Sequence, residues 1–74
     1  MNEVEKLRVL IPHWIEHNQE HAAEFCRWVE QAGEAAPEIL AAADEMVLVN
    51  ASLTTALEKL GGALAYHPPN SNQE

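Results

Sequence analysis

A disulfide within the chain is excluded, because its 74 residues hold a single cysteine, Cys26. A lone thiol suits a reducing cytosol. With no Cys-x-x-Cys pair and no strongly cationic neighbourhood, Cys26 reads as a small buried hydrophobe rather than a reactive group. Bases are scarce too. Four lysines and arginines face twelve acids, for a net charge of −8. Phosphates repel such a chain, so nucleic acid and anionic membrane surfaces are poor partners. Metal cations or a basic protein surface are what the charge favours. No stretch approaches the ~20 apolar residues of a membrane span. Met1-Asn2-Glu3-Val4-Glu5 has neither the basic start nor the apolar run of a signal peptide, so a soluble cytoplasmic protein is expected. There are no repeats, no glycine-rich phosphate loop and no alternating strand pattern. A chain this short forms one small domain, and a single core of that size supplies only a few kcal/mol without a metal or a partner chain.

The patterning that is present is helical. Asn2 followed by Glu5 has capping-box spacing and starts a first helix. Apolar residues recur at Leu7, Ile11, Trp14, Phe25, Trp28 and Ala32, and Asn18 and His21 fill the remaining places of that three-four rhythm. Pro12 interrupts the run. Because Val9, Leu10 and Ile11 are poor N-caps, one helix over about residues 3–32, kinked near Arg8–Pro12, is favoured over a break into two. Gly33 ends it, and Glu34-Ala35-Ala36 form a tight link. Pro37 and Glu38 suit the first turn of a second helix, about residues 37–60. Its seam reads Leu40, Ala43, Val47, Asn50, Leu53 or Thr54, Leu57 and Leu60. Lys59 lies in its last turn and Gly61-Gly62 stop it. Residues 63–74 read as a disordered tail.

A short link makes the helices antiparallel. Folding about residues 34–35 sets Trp28 near Ala41 and Ala42, His21 near Val47 and Leu48, Asn18 near Asn50, and Trp14 near Thr54. A buried Asn18–Asn50 amide pair would fix register. The apolar surface exceeds what one hairpin hides. The expected fold is therefore an all-α antiparallel hairpin that pairs into a dimeric four-helix bundle, ahead of a monomer with a third helix folded back before Pro12.

Three of the four histidines stand at His13, His17 and His21. A step of four on a helix turns a side chain by only ~40° and raises it ~6 Å, so the imidazoles form a ladder. One ion could take His13 with His17, or His17 with His21, but not all three, because the outer pair lie ~12 Å apart along the axis. Further ligands would come from Glu20, Glu24, Glu16, the second helix, His67 or a second chain. Zinc, nickel or cobalt suit imidazole. The plainer reading makes these histidines packed or solvated interface groups with no ion, and a third makes the ladder a pH-sensitive interface.

His13-Trp14-Ile15-Glu16-His17 also spells the inverted zincin pattern H-x-x-E-H. Three fixed letters in five arise by chance, Glu16 points ~100° away from His17, and the chain leaves no room for an ordinary substrate cleft. No enzyme is expected. Trp14, Phe25, Trp28, Val47, Asn50 and Leu57 read as core or interface, Met46 as a gap-filler, and Ser52, Thr54 and Thr55 as helix surface or seam.

The run Leu10-Ile11-Pro12-His13-Trp14-Ile15-Glu16-His17-Asn18, with Glu20-His21-Ala22 and Phe25-Arg27-Trp28, resembles a family of short uncharacterised prokaryotic proteins. These share an H-W-I-x-H-N-x-x-H segment followed by a second amphipathic helix. The likeness covers roughly residues 4–61. It implies a compact helical hairpin with metal association, and it transfers no catalytic residue. The expectation is a non-catalytic bundle whose ladder binds a divalent transition metal. The alternative is a metal-free oligomerisation or adaptor module, either with itself or with an unidentified protein partner.

Overall fold

The computed structural model describes residues 1–64. The first helix, α1, spans Glu3–Trp28, and the second, α2, spans Ala36–Leu60. Two single 3-10 turns, Val29–Gln31 and Gly33–Ala35, join them. Among the described residues there is no strand. The α-helical part of the first element thus closes four residues earlier than its periodicity predicts, because the chain tightens into a 3-10 turn before Gly33 reverses it at φ 60°.

Asn2 caps α1 reciprocally. Its side-chain oxygen accepts from the Glu5 amide at 2.8 Å, and its own N–H donates to the Glu5 carboxylate at 3.2 Å. α1 runs unbroken through Pro12. Proline offers no N–H, so the Arg8 carbonyl one turn back loses its helical donor. The Leu64 amide takes that place, donating to the Arg8 carbonyl at 3.2 Å. The Arg8 side chain closes the clasp from the other direction. Its Nε donates to the Gly62 carbonyl at 2.7 Å and its terminal nitrogen to the Gly61 carbonyl at 3.1 Å.

Gly61, at φ 114°, ends α2 in a left-handed turn. The Gly62 amide reaches the Leu57 carbonyl and the Gly61 amide the Glu58 carbonyl, which satisfies two of the terminal acceptors. A Cβ at Gly61 would stand 3.3 Å from the Arg8 guanidinium carbon, so glycine also makes the room for the clasp. The segment expected as a tail from residue 63 is therefore tied to α1 as far as Leu64. The rest of it, including His67, lies outside the described residues.

The Arg8 clasp joins the start of α1 to the end of α2, and the helices are antiparallel. Ile11, 3% exposed, and Ala43, 4% exposed, are the fully buried apolar residues among those described. Around them Ile15, Asn18, Ala22, Phe25 and Val29 of α1 and Ile39, Met46, Asn50, Leu53 and Leu57 of α2 are half-buried. Each set steps by alternating threes and fours, the seam of a two-helix coil.

This seam corrects part of the expected one. Trp14 is 43% exposed, Trp28 57% and Val47 63%, and His21 and Leu40 are exposed as well. None of them is core within one hairpin. Ile11, Asn18, Phe25 and Ala32 belong equally to two rhythms, one through 14, 21 and 28 and one through 15, 22 and 29. The hairpin takes the second, because Ile15, Ala22 and Val29 let the helix axes approach where two indoles would hold them apart. Cys26 is also exposed rather than buried. It falls one step beyond Phe25, on the flank of the seam opposite Trp14 and Trp28.

The segment Gly33–Leu60 is long enough to cross a bilayer, and an 18-residue window within it reaches a mean hydropathy of 1.2. Asp44 lies near its middle, and an acidic residue there costs about 2.5–3.5 kcal/mol in hydrocarbon. That charge weighs against a bilayer as the cover for its apolar sides.

Candidate histidine face

The site is built on the flank of α1 that the hairpin leaves open. His17 and His21 stand one turn apart with ring centroids 4.6 Å from each other and planes tilted by 41°. His21 in turn stacks over Phe25, centroids 6.2 Å apart and planes within 20°. Phe25 is anchored in the seam, so the ladder leans on a ring that the core holds in place. His13, Glu16, His17 and Glu20 border one shallow depression beside Trp14. Glu24 is engaged elsewhere: its carboxylate accepts from Arg27 at 3.0 Å on the surface. Among the described residues, no three His, Cys, Asp or Glu side chains stand close enough to hold one ion. The structure thus brings His17 and His21 together, sets His13 and Glu20 at the margin, and turns Glu24 to Arg27.

The two asparagines stand level across the hairpin. Asn18 donates to the Asn50 side-chain oxygen at 3.0 Å, and Asn50 donates to the Ile15 backbone carbonyl at 3.1 Å. The second bond has a helical cause, since a carbonyl inside α1 keeps a free lone pair on its outer side. The pair fixes the vertical register that places His21 level with Val47 and Leu48, while the rotation of α1 carries its imidazole outward.

Sequence reasoning missed the Arg8 clasp and the stripe through Ile15, Ala22 and Val29. Pro12 was the available signal for the first, because it orphans the Arg8 carbonyl. The second was signalled by the spacing itself: Ile15, Ala22 and Val29 recur every seven residues beside the Trp14–His21–Trp28 line that was read as buried.

Fold and site define a two-helix hairpin that carries a histidine pair between two exposed tryptophans. Over residues 7–60 the chain matches the family model described as a domain of unknown function, DUF8180, and it belongs to that family. No curated protein and no solved structure matches it.

Proposed function

We propose that this protein is a small non-catalytic assembly module, in which two hairpins pair along the Trp14–His21–Trp28 face into a four-helix bundle. The observation that carries the reading is the stripe itself. Trp14 and Trp28 are both exposed, seven residues to either side of His21. Their uncovered parts together amount to about one whole indole side chain, roughly 250 Å². Leu10 and the two imidazoles extend that face towards the roughly 800 Å² that each partner gives to a stable interface. α2 adds to the need for cover, because Val49 is exposed beside its half-buried seam.

The occupant is a second copy because the stripe reads the same in both directions. A two-fold axis crossing the helices at the level of His21 stacks α1 on α1 of the second copy, antiparallel. Trp14 then meets Trp28 of the other chain and His21 meets its own equivalent, as an isologous interface requires. The net charge of −8 opposes pairing with a copy. The stripe limits that cost, because its positions 7, 14, 21 and 28 carry no carboxylate.

Sedimentation equilibrium tests the reading. The expected mass is twice the 8.2 kDa of one chain. The double substitution Trp14→Glu and Trp28→Glu should bring it down to one chain with far-UV helicity retained. A wild-type chain that stays monomeric, or a doubly substituted chain that still pairs, overturns it. A divalent transition metal held through His17 and His21 is the second reading, supported by the 4.6 Å between their ring centres.

A further inference from the structure

We infer that the flank of the hairpin opposite the tryptophans docks a basic amphipathic helix of another protein. This does not rest on the pairing proposed above, which uses the other flank.

A side chain one step beyond a seam residue is turned ~100° from the seam. In an antiparallel pair that step falls to the same flank on both helices. On α2 the positions after Ile39, Met46 and Asn50 are Leu40, Val47 and Ala51, all exposed. On α1 the positions after Ala22 and Phe25 are Ala23 and Cys26, exposed as well. Together they make an apolar strip between the helices, on the side turned from Trp14 and Trp28. Its charged members are of one sign. Glu16 follows Ile15, Glu30 follows Val29, Asp44 follows Ala43 and Glu58 follows Leu57. All four are exposed, and among the described residues none of them is ion-paired. The nearest bases are engaged: Arg8 by the Gly61 and Gly62 carbonyls, Arg27 by Glu24.

The carboxylates are also regularly placed. Glu16 and Glu30 stand two heptads apart on one edge of the strip, and Asp44 and Glu58 two heptads apart on the other. Because Asn18 is level with Asn50, Asp44 falls between Glu16 and Glu30 along the axis. Acids thus alternate from edge to edge over ~30 Å, the length of a helix of about 20 residues.

Charge selects the occupant. A second copy laid on this flank would set its four carboxylates against four more. Residues 65–74 of the chain itself contain no lysine or arginine and add Glu74. Anionic lipid and nucleic acid are repelled by the same rim. What fits is a helix with one apolar line and lysine or arginine on both sides of it, laid in the groove as a third helix. The apolar strip is narrow, so the ion pairs at its edges set partner choice and the speed of encounter.

The probe is a synthetic peptide of about 20 residues, with leucine at the seam positions of each heptad and lysine beside them. Its control carries glutamate in place of every lysine. The isotope-labelled full-length chain is titrated with each and followed by NMR, at low and at raised salt. The lysine peptide should shift the amides of Leu40, Val47 and Ala51 and bind more weakly as salt rises, and the control should not bind. Glu16→Gln, Glu30→Gln, Asp44→Asn and Glu58→Gln together should weaken binding roughly tenfold, with far-UV helicity retained because all four side chains are exposed. Leu40→Ser with Val47→Ser should weaken it as well. No binding of the lysine peptide, equal binding of both peptides, or shifts centred on Trp14 and Trp28 overturns the proposal. Shifts at Leu40 and Val47 on concentrating the chain alone would assign the flank to a second copy and overturn it too.

Discussion

Ile11→Ala is expected to lower the unfolding free energy by about 2–5 kcal/mol, the cost of emptying a well-packed aliphatic site. That is a large share of the roughly 5–15 kcal/mol available to a small domain. Ile11 is the most enclosed side chain of α1, 3% exposed, and it lies beside the Arg8–Pro12 turn where the end of α2 is clasped. Val47→Ala is the control. Val47 is 63% exposed in the hairpin, although its spacing fits the α2 seam equally well. Away from packed contacts such a change stays within about 0.5 kcal/mol. Urea melts at one fixed protein concentration compare the two, because the proposed pairing would make stability concentration-dependent. Equal losses would mean that the seam runs through 40, 47 and 54, and that the rotation of both helices is wrong.

Asn50→Ala should cost about 1–3 kcal/mol, because it strips a partner from two groups at once. Asn18 loses its acceptor and the outer lone pair of the Ile15 carbonyl loses its donor. Replacing both asparagines by leucine should behave differently. Exchanging both members of a buried polar pair for apolar groups is close to neutral or stabilising. Register is what suffers, since a polar pair at one level penalises every slipped alignment. The double Asn18→Leu, Asn50→Leu chain should therefore melt at or above the Asn50→Ala chain and populate more than one mass by sedimentation. A double chain as unstable as the single one would show that packing, and not hydrogen bonding, dominates at this level.

The helical class, the capping box at Asn2, the stop at Gly61 and the level of Asn18 against Asn50 were all legible from residue types and spacing. Each depends on local chemistry or on counting from a short link. Rotation about the helix axis was not legible. The stripe through 14, 21 and 28 and the stripe through 15, 22 and 29 share Ile11, Asn18 and Phe25, and both obey the same rhythm. Hydrophobicity alone favours the tryptophans, whereas close approach of two helices favours Ile15, Ala22 and Val29. That choice is decided by shape, which a one-dimensional pattern does not carry. The same ambiguity explains the open face: α1 has two adjacent apolar stripes, and one hairpin covers one of them.

The clasp shows a second limit of the same kind. Pro12 announces that the Arg8 carbonyl will need a new donor. Nothing local says that the donor comes from Leu64 or that the Arg8 side chain turns to the Gly61 and Gly62 carbonyls. The histidine ladder was legible as a ladder, and its outward direction followed from the rotation of α1.

Self-pairing about His21 is tested most directly by a cysteine cross-link. In a Cys26→Ser background, His21→Cys should give a covalent dimer on mild oxidation without metal, because a residue on a two-fold axis meets its own equivalent. Leu48→Cys in the same background, on the exposed outer side of α2, should stay reduced under those conditions. A cross-link at position 48 with none at position 21 would contradict the proposed face.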